Sequence, residues 1–145
     1  LVGSAYMKKT LIVLSFIFII LISWVLYSYT RPAILVGKSD DGNWYAEYVQ
    51  ESVPDKKDIW SGKLRWQGEG TIAVTLLEFS ENGHVLISND EEVDVNPRDY
   101  LDFVAIGERP NNSDYILRIQ WNIDGKSMEE TINFQQKKRF FILPF

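Results

Sequence analysis

The densest run of potential ligands in the chain is Asn89-Asp90-Glu91-Glu92-Val93-Asp94-Val95-Asn96, with Asp99 close behind. Calcium takes about six to eight oxygens, and loops of exported β-domains can supply them. Asp90, Glu92 and Asp94 are therefore the metal candidates. An EF-hand counted from Asp90 would need glycine at its sixth place and a bidentate glutamate at its twelfth; Val95 and Leu101 stand there instead. In an extended strand Asp90, Glu92, Asp94 and Asn96 fall on one side. A solvated charged face is the expectation.

Nucleophilic chemistry has less to draw on. The chain has no cysteine, which removes thiol nucleophiles and thiolate metal sites. Its one histidine, His84, follows the turn pair Asn82-Gly83 and reads as a solvated turn residue. Ser80 and Ser88 are near it in sequence, but a triad also needs a base held by a third group, and nothing marks an oxyanion hole. No glycine-rich phosphate loop followed by Lys-Ser/Thr occurs. No catalytic residue is assigned and no cofactor is expected. A carboxylate pair acting on carbohydrate is compatible with the 20 Asp and Glu, yet such a pair must stand about 5 to 10 Å apart.

Two further groups could bind rather than react. Trp44, Trp60 and Trp66, with Trp121, are many indoles for a small domain. Exposed on a flat sheet they would stack on the sugars of a cell wall; their alternation with Leu64, Leu117 and Ile119 argues for core instead. Lys137, Lys138 and Arg139 precede Phe140-Phe141-Ile142-Leu143-Pro144-Phe145. A basic patch before an apolar tip could dock on anionic lipid or wall polymer. The plainer expectation is a last buried strand with a basic entry.

The elements that would position these residues are strands. Asn43 to Gln50 is rich in Trp and Tyr and opens at Asp41-Gly42. A polar loop with Pro54-Asp55 follows. Within Asp58 to Gln67, Trp60, Gly62, Leu64 and Trp66 alternate with Ser61, Lys63 and Arg65. Thr71 to Ser80 is apolar and β-branched, and Asn82-Gly83 turns it into His84 to Ser88. Tyr115, Leu117, Ile119, Trp121 and Ile123 share one face of the cleanest strand, and Asp124-Gly125 returns it into Ser127 to Phe134. Asn96-Pro97-Arg98-Asp99 could open a short helix ending at Gly107, or Phe103 to Ile106 could be a strand. The pattern predicts an all-β fold, an antiparallel β-sandwich, Ig-like or related, of about seven to eight strands.

Location is legible upstream. Leu11 to Tyr27 carries no charge, and at about 1.5 Å per residue a helix of this length approaches the thickness of a bilayer's hydrocarbon core. Secretory h-regions are shorter, about 7 to 15 residues, and Ser28-Tyr29-Thr30 is a poor cleavage site. Trp24, Tyr27 and Tyr29 lie where an interfacial aromatic belt would form. The segment reads as an uncleaved signal anchor. Lys8 and Lys9 before it orient the N-terminal side inward and the rest outward. From Asp40 to Phe134 there are 8 Lys and Arg against 20 Asp and Glu, a net of −12, which disfavours nucleic acid.

The pattern Gly42-Asn43-Trp44 with Tyr48, Gly62-Lys63-Leu64 with Trp66 and Gly68, Glu81-Asn82-Gly83, then Ile119-x-Trp121-Asn122-x-Asp124-Gly125-Lys126 with Glu129-Glu130-Thr131-Ile132, resembles a group of small exported domains of Gram-positive bacteria. That resemblance implies an all-β domain outside the membrane, lipid- or helix-anchored, and lends no activity. The chain departs from it in having no lipidated cysteine, and Asp90 to Gly107 where many have a glycine-rich loop.

The expected organisation is an upstream extension or cloning scar over 1–6, a signal anchor over 7–30, a linker over 31–39 and an extracytoplasmic β-sandwich over 40–145. The expected role is a membrane-anchored binding or assembly domain of a bacterial envelope, partnered by the membrane and by envelope proteins or wall polymers. A carbohydrate-binding module and a carboxylate-dependent carbohydrate-active enzyme are the alternatives.

Overall fold

The computed structural model describes residues 2–51, 58–139 and 142. The expected loop around Pro54-Asp55, and most of the apolar run after Arg139, lie outside the described residues. The described chain forms two compact units. One is the helical part to Ala33 with the residues from Lys138 on; the other is Ile34–Lys137.

In the first unit, α1 (Val2–Thr30) is a single helix of 29 residues that also runs through the stretch read as an extension. Its span Gly3–Thr30 has a mean hydropathy of 2.6 and is long and apolar enough to cross a membrane. Apolar residues occupy all its sides, with no charged stripe after Lys9. A helix of that kind finds a stable setting in a protein core or in lipid. Every described side chain from Gly3 to Thr30 is exposed except Trp24 and Ser28.

The second unit is a β-sandwich of ten strands. They are β1 (Ile34–Lys38), β2 (Trp44–Gln50), β3 (Trp60–Trp66), β4 (Ile72–Glu81), β5 (His84–Asn89), β6 (Val93–Val95), β7 (Tyr100–Gly107), β8 (Tyr115–Ile123), β9 (Lys126–Asn133) and β10 (Gln135–Lys137). One sheet has the order β10-β1-β2-β3-β7, the other β5-β4-β8-β9 with β6 also on β4. All pairings are antiparallel. The β1-β2-β3 meander lies within one sheet, so the likeness to an immunoglobulin domain is one of architecture rather than strand order.

Two expectations change, and the open choice over 96–107 is decided. The stretch read as a linker, 31–39, contains β1, whose Ile34 and Leu35 are buried and whose residues pair with both β2 and β10. The sandwich therefore begins at Ile34 rather than residue 40 and closes at Lys137. A five-residue strand is too short for its periodicity to separate it from a connection. Asn96–Asp99 makes a turn, with Asp99 N–H donating to Asn96 O at 3.0 Å. The chain then continues as β7 rather than a helix, because Phe103 and Val104 reach the core from a strand paired with β3. The strand count is ten rather than seven or eight, the surplus being the short β1, β6 and β10.

Turn chemistry sets the register. Asn82 (φ 49°) with Gly83 (φ 81°), and Asp124 (φ 49°) with Gly125 (φ 76°), are the left-handed pairs of two-residue hairpins. They fix Glu81 opposite His84 and Ile123 opposite Lys126. That register turns Tyr115, Leu117, Ile119 and Trp121 inward together. Facing them from the first sheet are Trp44, Ala46 and Tyr48 of β2 and Trp60, Leu64 and Trp66 of β3, all buried.

Candidate functional site

The sequence-derived binding candidates separate. Trp44, Trp60 and Trp66 are at most 3 % exposed, which corrects any reading of them as a stacking platform. Trp44 lies 4.9 Å from Trp66 and Trp66 lies 6.2 Å from Trp121, ring centre to ring centre. The domain has only about a hundred residues with which to build a core, and its largest apolar side chains fill it.

Asp90, Glu91 and Glu92 are exposed between β5 and β6, and Asp94 is exposed on β6. Both strands pair with β4, β6 at its Ile72 end and β5 at its Glu81 end. The acidic residues bridge the gap between them. Among the described residues no three His, Cys, Asp or Glu side chains gather as a metal site. His84 is exposed at the start of β5.

Lys137 ends β10 opposite Ile34, exposed beside a shallow depression that Lys38 and Tyr45 also line. Lys138 Nζ sits 4.5 Å above the Tyr29 ring. Arg139 is half-buried.

A cleft of about 250 Å³ opens instead at one end of the sandwich. Tyr48 of β2, Phe79 of β4 and Tyr115 of β8 form its floor, with Phe79 and Tyr115 stacked at 5.7 Å and Tyr48 at 5.6 Å from Phe79. Leu86 and Ile87 of β5 and Val104 of β7 are its walls. Gly107 completes the β7 side; a Cβ there would strike the Tyr48 hydroxyl.

The polar rim is built from Glu81, Glu108, Arg109 and Asn111. Tyr48 donates its hydroxyl to Glu108 O at 2.7 Å. Tyr115 donates to Glu81 Oε1 at 3.0 Å and accepts from Asn111 N–H at 3.1 Å. Hydrogen bonds from Ser113, then Asn111 and Tyr115, hold the Glu81 carboxyl below its ordinary pKa. Arg109 Nε reaches Asp58 Oδ2 at 3.1 Å. The Asp58 carboxyl is lowered first by the Trp60 indole N–H and then by Arg109. Burial pushes the Tyr48 hydroxyl up to about 12 and raises that of Tyr115. At neutral pH the cleft thus presents an ionised carboxylate, two neutral phenols and an aromatic floor. That set can hold a small organic group that offers N–H or O–H donors and an apolar side.

Sequence reading passed over this cleft. Its parts come from five separated places in the chain, and none forms a spaced motif. The one local signal was Asn111-Asn112-Ser113-Asp114, a turn cluster ahead of β8 that carries more side-chain hydrogen bonding than a simple connection needs. Ser113 N–H closes on Asn111 Oδ1 at 2.8 Å, and Asp114 N–H on Asn82 Oδ1 at 3.0 Å.

No protein-family model, no curated protein and no solved structure matches this chain.

Proposed function

We propose that the chain is a binding domain held on the outer face of a bacterial membrane by α1, with the cleft between β5 and β7 as its ligand site. The observation that carries the reading is the sequel to α1: an apolar helix of spanning length leads after three residues into a two-sheet sandwich that carries a polar-rimmed, aromatic-floored cleft. Lys8 and Lys9 ahead of the helix support the outward orientation. The resemblance to anchored exported domains supports a Gram-positive envelope as the setting. Envelope proteins and wall polymers are the partners within reach there.

The carbohydrate-binding reading moves from the buried tryptophans to the cleft, where Glu81 and Asn111 could receive sugar hydroxyls beside an aromatic floor. The carbohydrate-active enzyme is less well supported. Its acid catalyst needs a carboxyl kept protonated near neutral pH, and Glu81 is held ionised.

A photo-crosslinking amino acid placed at Leu86, on the cleft wall, tests the proposal in intact cells. The control position is Met128 on β9, also exposed. A discrete adduct from Leu86 and none from Met128 is expected, with loss of that adduct in Glu81→Gln. Equal adducts from both positions, or none from Leu86, would contradict the assignment of the cleft.

A further inference from the structure

The helical unit has a feature that spanning a membrane does not require. Trp24 and Ser28, one turn apart, are the two described side chains of α1 that are withdrawn from solvent, and Ser28 is fully buried. Both engage the backbone of Ile142. The Trp24 indole Nε1–H donates to Ile142 O at 2.8 Å, and Ile142 N–H donates to Ser28 Oγ at 3.0 Å. One turn of helix thereby satisfies both backbone groups of a residue 114 positions beyond Ser28.

Backbone groups without partners are costly in the lipid phase. A non-helical residue can enter the bilayer boundary only if something meets its N–H and C=O, and Trp24 and Ser28 do so here. Measured from Thr30 at about 1.5 Å per residue, these two positions lie roughly 3 to 9 Å back along the helix. Apolar groups of interfacial segments settle about 5 to 10 Å into the headgroup and acyl boundary. The neighbouring chemistry agrees. Ile142 belongs to the apolar sequence Phe140-Phe141-Ile142-Leu143-Pro144-Phe145, preceded by Lys137-Lys138-Arg139. Lys138 is held over the ring of Tyr29 at the end of the helix. Lys138 at the end of the helix, with Arg139 next to it in sequence, matches an anionic leaflet surface.

We infer that the chain at Lys138, Arg139 and Ile142 is a second membrane attachment, held beside the outer end of α1 on anionic lipid. Trp24 and Ser28 are its receptor, and Lys138 and Arg139 select lipid charge. The inference rests on α1 spanning the membrane. A carbonate wash of the membranes, run alongside, tests that reading separately.

The chain has no cysteine, so Ile142→Cys supplies a unique thiol for an environment-sensitive fluorophore. The full chain would be reconstituted into phosphatidylcholine vesicles with and without phosphatidylglycerol. Quenching by nitroxide-labelled lipid is compared with quenching by aqueous iodide. Strong lipid quenching and weak iodide quenching are expected, more pronounced in anionic vesicles. Adding Trp24→Phe and Ser28→Val should raise iodide quenching several-fold while near-UV circular dichroism of the sandwich stays unchanged. Lys138→Gln and Arg139→Gln together should abolish the preference for anionic vesicles. Iodide quenching without lipid quenching in the full chain, indifference to Trp24→Phe with Ser28→Val, or identical signals in neutral and anionic vesicles would overturn the inference.

Discussion

Trp44 of β2 and Trp121 of β8 meet edge to face across the two sheets, ring centres 5.3 Å apart and planes at 72°. Each sheet contributes one ring, so the pair clasps the sandwich where β2 and β8 face one another. Such a contact adds roughly 0.5 to 1.5 kcal/mol beyond the burial of the rings themselves. Trp121→Ala removes the clasp and leaves a cavity, and should cost about 3 to 5 kcal/mol in chemical denaturation. A loss below about 1 kcal/mol would mean that this face is not the core.

Gly62 and Phe103 form a second close relationship, between β3 and β7. The Phe103 ring occupies the place where a side chain at residue 62 would begin, and the register between the two strands is irregular there. Gly62→Ala should therefore destabilise by about 1 to 3 kcal/mol through overpacking. Adding Phe103→Leu should recover part of that loss. Additive losses in the double variant would contradict the proposed collision.

The raised pKa of Tyr48 gives a test at alkaline pH. Burial raises it to about 12, whereas an unfolded tyrosine titrates near about 10. The stability it contributes is complete below about pH 10 and is lost as pH rises through about 12. Tyr48→Phe forfeits the hydrogen bond to Glu108 O, about 0.5 to 1.5 kcal/mol at neutral pH, but cannot ionise. The stability gap between the two proteins should narrow above about pH 10. A gap that stays constant to high pH would show that the hydroxyl is not sheltered as described.

Asp90, Glu92 and Asp94 are exposed and belong to no group of three ligating side chains among the described residues, and the solvated-face reading expects no response to calcium. Extracellular sites commonly bind at about 10⁻⁴ to 10⁻³ M. A true site would then gain about 1.4 to 2.7 kcal/mol in about 10 mM calcium by mass action. No rise in Tm beyond that given by magnesium is expected. A calcium-specific rise that vanishes in Asp94→Asn would contradict this.

The strands with a buried alternating face were legible because period two and the Asn-Gly and Asp-Gly turns agree, as they do from Tyr115 through Gly125. β1 was not, since five residues cannot display a period, and its pairing with β10 joins residues about a hundred positions apart. The 96–107 segment carried both a helix-opening sequence and a β-rich run; tertiary pairing with β3 decided it. The cleft was illegible for a related reason: Tyr48, Glu81 and Asn111 meet only once two sheets have packed. The contacts of Ile142 with Trp24 and Ser28 depend on closure across nearly the whole chain, and no local pattern announces them.

Whether α1 anchors an outward-facing sandwich is measured directly by introduced thiols in this cysteine-free chain. Tyr6→Cys lies at the N-terminal end of α1, ahead of Lys8 and Lys9, and Met128→Cys on the exposed face of β9. Each variant would be expressed in a bacterium and treated with a membrane-impermeant maleimide before and after permeabilisation. Met128→Cys is expected to react in intact cells and Tyr6→Cys only after the membrane is opened, with both proteins retained in carbonate-washed membranes. Reaction of Tyr6→Cys but not Met128→Cys in intact cells, or recovery of the protein in the soluble fraction, would contradict it.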